Sequence, residues 1–277
     1  MLVTMREILD DAKKRRYGVG MFNTFNIEMA LGVLSAAEEM KAPVIIGTAE
    51  ALLDCCDLEL AAQFIGFLAK RSTVPVALHL DHGFTDEVVR RAIDSGFTSV
   101  MLDCSEAPYE ENVQRLKAMS EYAHKKGASV EGELGHVVFD TAEDTGYVYT
   151  KPEQARDFVE RTNVDALAIA IGTAHGVYKE KPVLDLERLR RIRAATDAGL
   201  VLHGGSGLSD DDFRNVVRDG IQKINIYTDV SFAMTRAARD YVEKHSPKAE
   251  EVSPAMREAA KRAAIAKLEL FGCAGKA

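Results

Sequence analysis

Eight short apolar runs, at residues 18–22, 44–48, 76–81, 99–103, 129–133, 166–171, 200–203 and 223–226, recur along the chain. Each is too uniformly apolar to be half exposed, as expected of parallel strands buried on both faces. Between them lie stretches with helical spacing, such as Leu58, Ala61, Ala62, Ile65 and Leu68, or Val113, Leu116, Ser120 and Ala123. A doubly wound open sheet also alternates strands and helices. Eight such units in 277 residues, however, match the size and count of an α/β (β/α)8 TIM barrel. No linker or low-complexity tract divides the chain, and Pro43, Pro75, Pro152 and Pro182 fall at unit joins. One domain spanning 1–277 is expected, with extra C-terminal helices whose alanine-rich stretch 254–270 is a candidate subunit interface.

Charge excludes some partners. The net charge is −8, and the longest basic run, 13–16, reads as the solvated face of an N-terminal helix, so nucleic acid is not an expected ligand. Cys55, Cys56, Cys104 and Cys273 have no CxxC spacing, which points to a reducing, cytoplasmic compartment. Arg6, Glu7, Asp10 and Asp11 sit where a signal peptide needs an apolar core. No apolar run approaches the roughly 20 residues of a membrane span.

In this barrel, active sites lie on the loops that follow the strands. Those strand ends are polar here. His82, His175 and His203 follow runs three, six and seven. No linear motif has their spacing, but three imidazoles converging on one ion leave an open position, as in a catalytic zinc site. Asp81 precedes one of them and suits a proton carrier at the rim, since Thr85 is better placed to cap the next helix. Asp103 and Glu133 end runs four and five. They read as partners of the histidines, an alternative metal position, or rim acids in salt bridges. Gly204, Gly205, Ser206 and Gly207 precede a helix start at Ser209, and Asn225, Ile226, Tyr227 and Thr228 follow run eight. These are the loops where barrels commonly hold phosphate. His79 either orients a neighbour or is a satisfied core imidazole. His124 and His245 read as idle helix-face residues, and His136 as a solvated loop residue. No lysine stands at a strand's C-terminal end for Schiff-base chemistry, because Lys223 begins run eight at the opposite face.

Several motifs together resemble the class II, metal-dependent fructose- and tagatose-bisphosphate aldolases along essentially the whole chain. They are His79-Leu80-Asp81-His82, Glu131-Gly132-Glu133-Leu134-Gly135, Gly172-Thr173-Ala174-His175-Gly176, Leu202-His203-Gly204-Gly205-Ser206-Gly207 and Lys223-Ile224-Asn225. The resemblance implies a lyase of carbohydrate metabolism. In such an enzyme His82, His175 and His203 bind Zn2+, and Asp81 handles the proton of the C4 hydroxyl. Gly176, Gly204, Gly205, Ser206, Asn225, Tyr227 and Thr228 hold the dihydroxyacetone phosphate half. Glu133 lies near the metal, and Asn23 and Thr48 touch substrate. A monovalent cation, Na+ or K+, accompanies the phosphate, and the subunits form a homodimer or homotetramer. Zinc acts as a Lewis acid on the enediolate left by C3–C4 cleavage. A family loop after strand five carries a catalytic acid, for which Glu143 is the candidate.

Two positions depart from the family. Residues 246–249 read Ser-Pro-Lys-Ala rather than Asp-Pro-Arg, and Tyr227 stands where relatives carry a small or acidic residue. Both leave the C6 substituent open. The expected reaction is reversible cleavage of a ketose 1-phosphate, such as fructose- or tagatose-1,6-bisphosphate. The alternatives are a substrate with a C6 sulfonate or carboxylate, and a non-catalytic sugar-phosphate-binding accessory subunit.

Overall fold

All eight apolar runs are strands, with ends within two residues of those read from the sequence. In this computed structural model, which describes residues 1–135, 149–174, 176 and 182–277, they close into one parallel barrel in the order β1 to β8. The strands are β1 (Val19–Asn23), β2 (Val44–Ala49), β3 (Val76–Gly83), β4 (Ser99–Leu102), β5 (Ser129–Leu134), β6 (Ala166–Ile169), β7 (Gly199–Leu202) and β8 (Lys223–Ile226). The helices around them are α1 (Met5–Arg15), α2 (Ile27–Met40), α3 (Leu58–Arg71), α4 (Asp86–Asp94), α5 (Tyr109–Lys125), α6 (Pro152–Thr162), α7 (Leu186–Ala195), α8 (Asp210–Asp219), α9 (Thr228–His245) and α10 (Ala249–Leu270). None of them is long and apolar enough to cross a membrane.

Helix starts follow local chemistry. Thr85 caps α4 by accepting from the Val88 N–H, and Ser209 caps α8 in a reciprocal box with Asp212. The α9 start has no cap from its own N-cap side chain, Tyr227.

Within the alanine-rich stretch 254–270, α10 turns Ala259, Ala260, Ala264 and Leu268 inward. A Cβ on Gly32 of α2 would lie 2.7 Å from both the Ala260 side chain and the Arg257 carbonyl, so the two helices pack backbone to backbone. The small side chains permit that approach within one chain.

One irregularity positions the site. The β3–β4 register shifts between Leu80 and Gly83, and His82 holds φ +43. Strict alternation would send Asp81 and His82 to opposite faces. The bulge brings both into one chamber, where their ligand atoms and that of His203 lie within 4.8 Å of one another.

Candidate active site

The barrel interior holds a charged column. Lys223 at the start of β8 is fully buried, with Nζ 2.8 Å from Glu131 Oε2 and 3.4 Å from His79 Nε2. β3, β5 and β8 are not neighbours, so these contacts cross the barrel. Lys223 begins β8, as read from the sequence, and its ammonium reaches Glu131 in the barrel interior. His79 is a satisfied core imidazole. Its Nδ1 is hydrogen-bonded with Ser99 Oγ at 2.6 Å, and burial, then the Lys223 charge, push its pKa down to about 3.

Beside this column stand His82 and His203, the two expected metal ligands among the described residues. His82 places Nδ1 2.8 Å from Asp103 Oδ2, and His203 places Nε2 2.8 Å from Glu131 Oε1. A carboxylate can only accept, so each imidazole donates through that nitrogen. The remaining nitrogens, His82 Nε2 and His203 Nδ1, face each other at 2.8 Å. Two lone pairs so close need a proton or a cation between them. Paired imidazoles, each backed by a carboxylate, are what a bound divalent metal requires of its ligands. The residues therefore fit a metal ion. Asp103 occupies one of the partner roles expected for it. Glu131 occupies the other and was not singled out in the sequence. Glu133 groups with His82 and Asp103 as an alternative metal position. His175 and Glu143 lie outside the described residues, as does His136.

Asp81 is 3% exposed and held at both oxygens, Oδ2 by Asn23 Nδ2 at 2.7 Å and Oδ1 by Asn225 Nδ2 at 2.9 Å. Burial alone would raise its pKa. The electrostatic pull of the His82 and His203 sites, and then of Lys223, outweighs burial and holds the carboxylate well below its usual range. Asn23 and Asn225 thus both serve Asp81, and their Oδ1 atoms have no hydrogen-bond partner among the described residues.

A cleft of about 610 Å³ opens over Asp81, lined by Asn23, His82, Asp103 and Glu133, by Gly176, Gly204, Gly205 and Ser206, and by Asn225, Tyr227 and Thr228. Thr48 is fully buried, and Ala49 after it forms the wall. Gly204 holds φ +66, and a Cβ there would run into the Ala174 carbonyl, so only glycine fits this turn. Ser206 Oγ accepts from the backbone of Tyr227 at 3.3 Å and Asp229 at 3.4 Å, tying the β7 loop to the start of α9. A glycine turn beside a helix start only partly capped by Ser206 can hold an anion.

His124 is not idle: its Nε2 pairs with Asp165 at 2.9 Å, where Asp165 also accepts from the Val130 N–H. That cluster braces α5 against β5 and stands apart from the cleft. His245 stays on an exposed helix face, its ring tilted against that of Tyr241.

The family model described as fructose-bisphosphate aldolase class-II matches residues 3–276. A fructose-bisphosphate aldolase from Geobacillus stearothermophilus is 40% identical, covering 100% of this chain and 99% of that protein. The crystal structure of the YdjI aldolase from Escherichia coli K12 is 39% identical, covers 100% of both chains and superposes with a TM-score of 0.92. A fructose-bisphosphate aldolase from Campylobacter jejuni, 25% identical, covers 100% of this chain and 97% of its own, with a TM-score of 0.86.

Proposed function

Because the chain belongs to the class II fructose-bisphosphate aldolase family, whose members are metal-dependent lyases, we propose that it reversibly cleaves a ketose 1-phosphate into dihydroxyacetone phosphate and an aldehyde. The observation that carries this reading is the Asp81 carboxylate, held by two asparagines beside a pair of metal-ready imidazoles.

In this reading His82, His203 and His175 hold Zn2+, and the ion supplies Lewis acidity toward the negative charge that C3–C4 cleavage leaves on the ketose half. Asp81 accepts the C4 hydroxyl proton in cleavage and returns it in condensation. Asn23 and Asn225 fix the carboxylate so that little reorientation precedes transfer. Gly204, Gly205 and Ser206, with the start of α9 at Thr228, hold the C1 phosphate beside Gly176 and Tyr227. A monovalent cation, Na+ or K+, near that phosphate, Glu143 as a further acid, and a homodimer or homotetramer complete the proposal. The Lys223 ammonium is engaged by Glu131 in the closed interior, which supports metal over Schiff-base chemistry.

The test is an aldol assay on the purified protein with zinc. Chelation should abolish cleavage, zinc should restore it, and borohydride with dihydroxyacetone phosphate should leave it intact. Zinc-loaded protein that neither cleaves ketose 1-phosphates nor condenses dihydroxyacetone phosphate with any aldehyde would leave only the accessory-subunit reading.

A further inference from the structure

The two ends of the cleft differ in chemistry. The anion-holding end is built by the loops after β7 and β8. In a closed eight-strand order β3 stands across the axis from β7 and β4 from β8, so the loops after β2, β3 and β4 face that end. There the wall is Ala49, Ala51, Leu52 and Phe84, followed by Ser105 and Glu106. Phe84 is 52% exposed and stacks on His82 with ring centroids 6.3 Å apart, so an apolar surface runs from the imidazole to the mouth.

Charge has the same asymmetry. Among the described residues lining the cleft, none is lysine or arginine. The sequence extends this point. The segments that follow β1 to β4, at 24–26, 50–57, 84–85 and 103–108, contain five aspartates and glutamates and no lysine or arginine. The nearest guanidinium, Arg115 against the Phe84 carbonyl, is engaged by Asp86 at 2.6 Å, so a phosphate, sulfonate or carboxylate laid against this side would give up hydration with no lining cation to answer it and would face a field of its own sign.

We propose that the aldehyde half of the substrate is uncharged: the enzyme acts on ketose 1-phosphates whose carbons beyond the cleaved bond carry hydroxyls or hydrocarbon, packed on Leu52 and Phe84, and no second anion. This inference rests on the aldolase reading and narrows it. One phosphate suffices for binding, because the ketose half is held at C1 and by the metal site. The other half needs only to present its carbonyl to Asp81.

The zinc-loaded enzyme tests it in the condensation direction, which frees the comparison from the configuration of any one ketose. Consumption of dihydroxyacetone phosphate is followed with D- and L-glyceraldehyde, with D-glyceraldehyde 3-phosphate and with tartronate semialdehyde. The uncharged aldehydes should be used at least about tenfold more efficiently than the phosphorylated or carboxylated ones, since like-charge juxtaposition costs more than the energy of a tenfold change. Leu52→Arg should move the ratio of phosphorylated to uncharged aldehyde upward by about tenfold. Equal or greater efficiency with a charged aldehyde overturns this inference and leaves the aldolase reading standing. Consumption with no aldehyde removes the aldolase reading, and this inference with it. A ratio unmoved in Leu52→Arg counts against Leu52 as the surface that meets the aldehyde.

Discussion

His82 and His203 meet nitrogen to nitrogen at 2.8 Å, and each gives its other ring nitrogen to a carboxylate, Asp103 for one and Glu131 for the other. The carboxylates decide which nitrogen carries the proton, and so which lone pair faces the partner ring. Glu131→Gln and Asp103→Asn keep shape and remove that instruction. Each should weaken zinc binding by about 10- to 100-fold in a chelator competition, with the melting temperature little changed for Asp103→Asn. Zinc affinity equal to that of the parent in both variants would refute the role.

Lys223 should act through Glu131. Lys223→Met leaves Glu131 buried beside His203 without its counter-ion, and zinc affinity should fall again. In a Glu131→Gln background the same change should add little, because the charge it answers is gone. Additive losses across the double-mutant cycle would make Lys223 a packing residue only.

Asp81→Asn should retain zinc and fold while turnover falls by about 100- to 10,000-fold, the range associated with a positioned acid or base. Asn225→Ala frees one carboxylate oxygen and should lower kcat more than it raises KM. Full activity in Asp81→Asn would displace the proton carrier to another residue.

Gly204→Ala introduces a side chain at φ +66 and against the Ala174 carbonyl. The backbone cost alone is about 1–3 kcal/mol, so the melting temperature should drop and KM for any ketose 1-phosphate should rise. An unchanged melt would mean that the turn relaxes freely.

Thiol chemistry checks the packing against pH. Cys55 is exposed, while Cys56, Cys104 and Cys273 are buried. Burial pushes the Cys104 thiol up to about 11 and Cys273 to about 12. A raised thiol pKa keeps the group protonated and unreactive as pH climbs, so between pH 7 and about 9 one thiol per folded chain should react rapidly with an aromatic disulfide reagent. Two or more fast thiols at pH 8 would contradict the buried placements.

The barrel was legible because parallel strands covered on both faces read as unbroken apolar runs, and these runs counted out to eight. Strand-end positions then pointed to His82, His203 and Asp81 with no spacing motif to help. Glu131 and Lys223 were harder to see, since a charge inside an apolar run reads as an interruption. Their signal was parity: 131 with 133, 223 with 225 and 79 with 81 each fall two apart, on one face of a strand. The alanine stripe of α10 declared an apolar face but could not name its partner, because Gly32 lies more than two hundred residues away in sequence.

The bulge at the end of β3 turns two consecutive residues, the proposed proton carrier Asp81 and the proposed metal ligand His82, into one chamber across a single peptide unit. Other distances in the chamber depend on strands from distant parts of the chain and stretch when the barrel breathes. The Asp81 to His82 spacing is instead set by bond lengths and one unusual torsion. Thermal motion can therefore loosen the grip on either half of a substrate before it disturbs the alignment of acid and ligand, and inactivation on warming should begin in binding rather than in the chemical step.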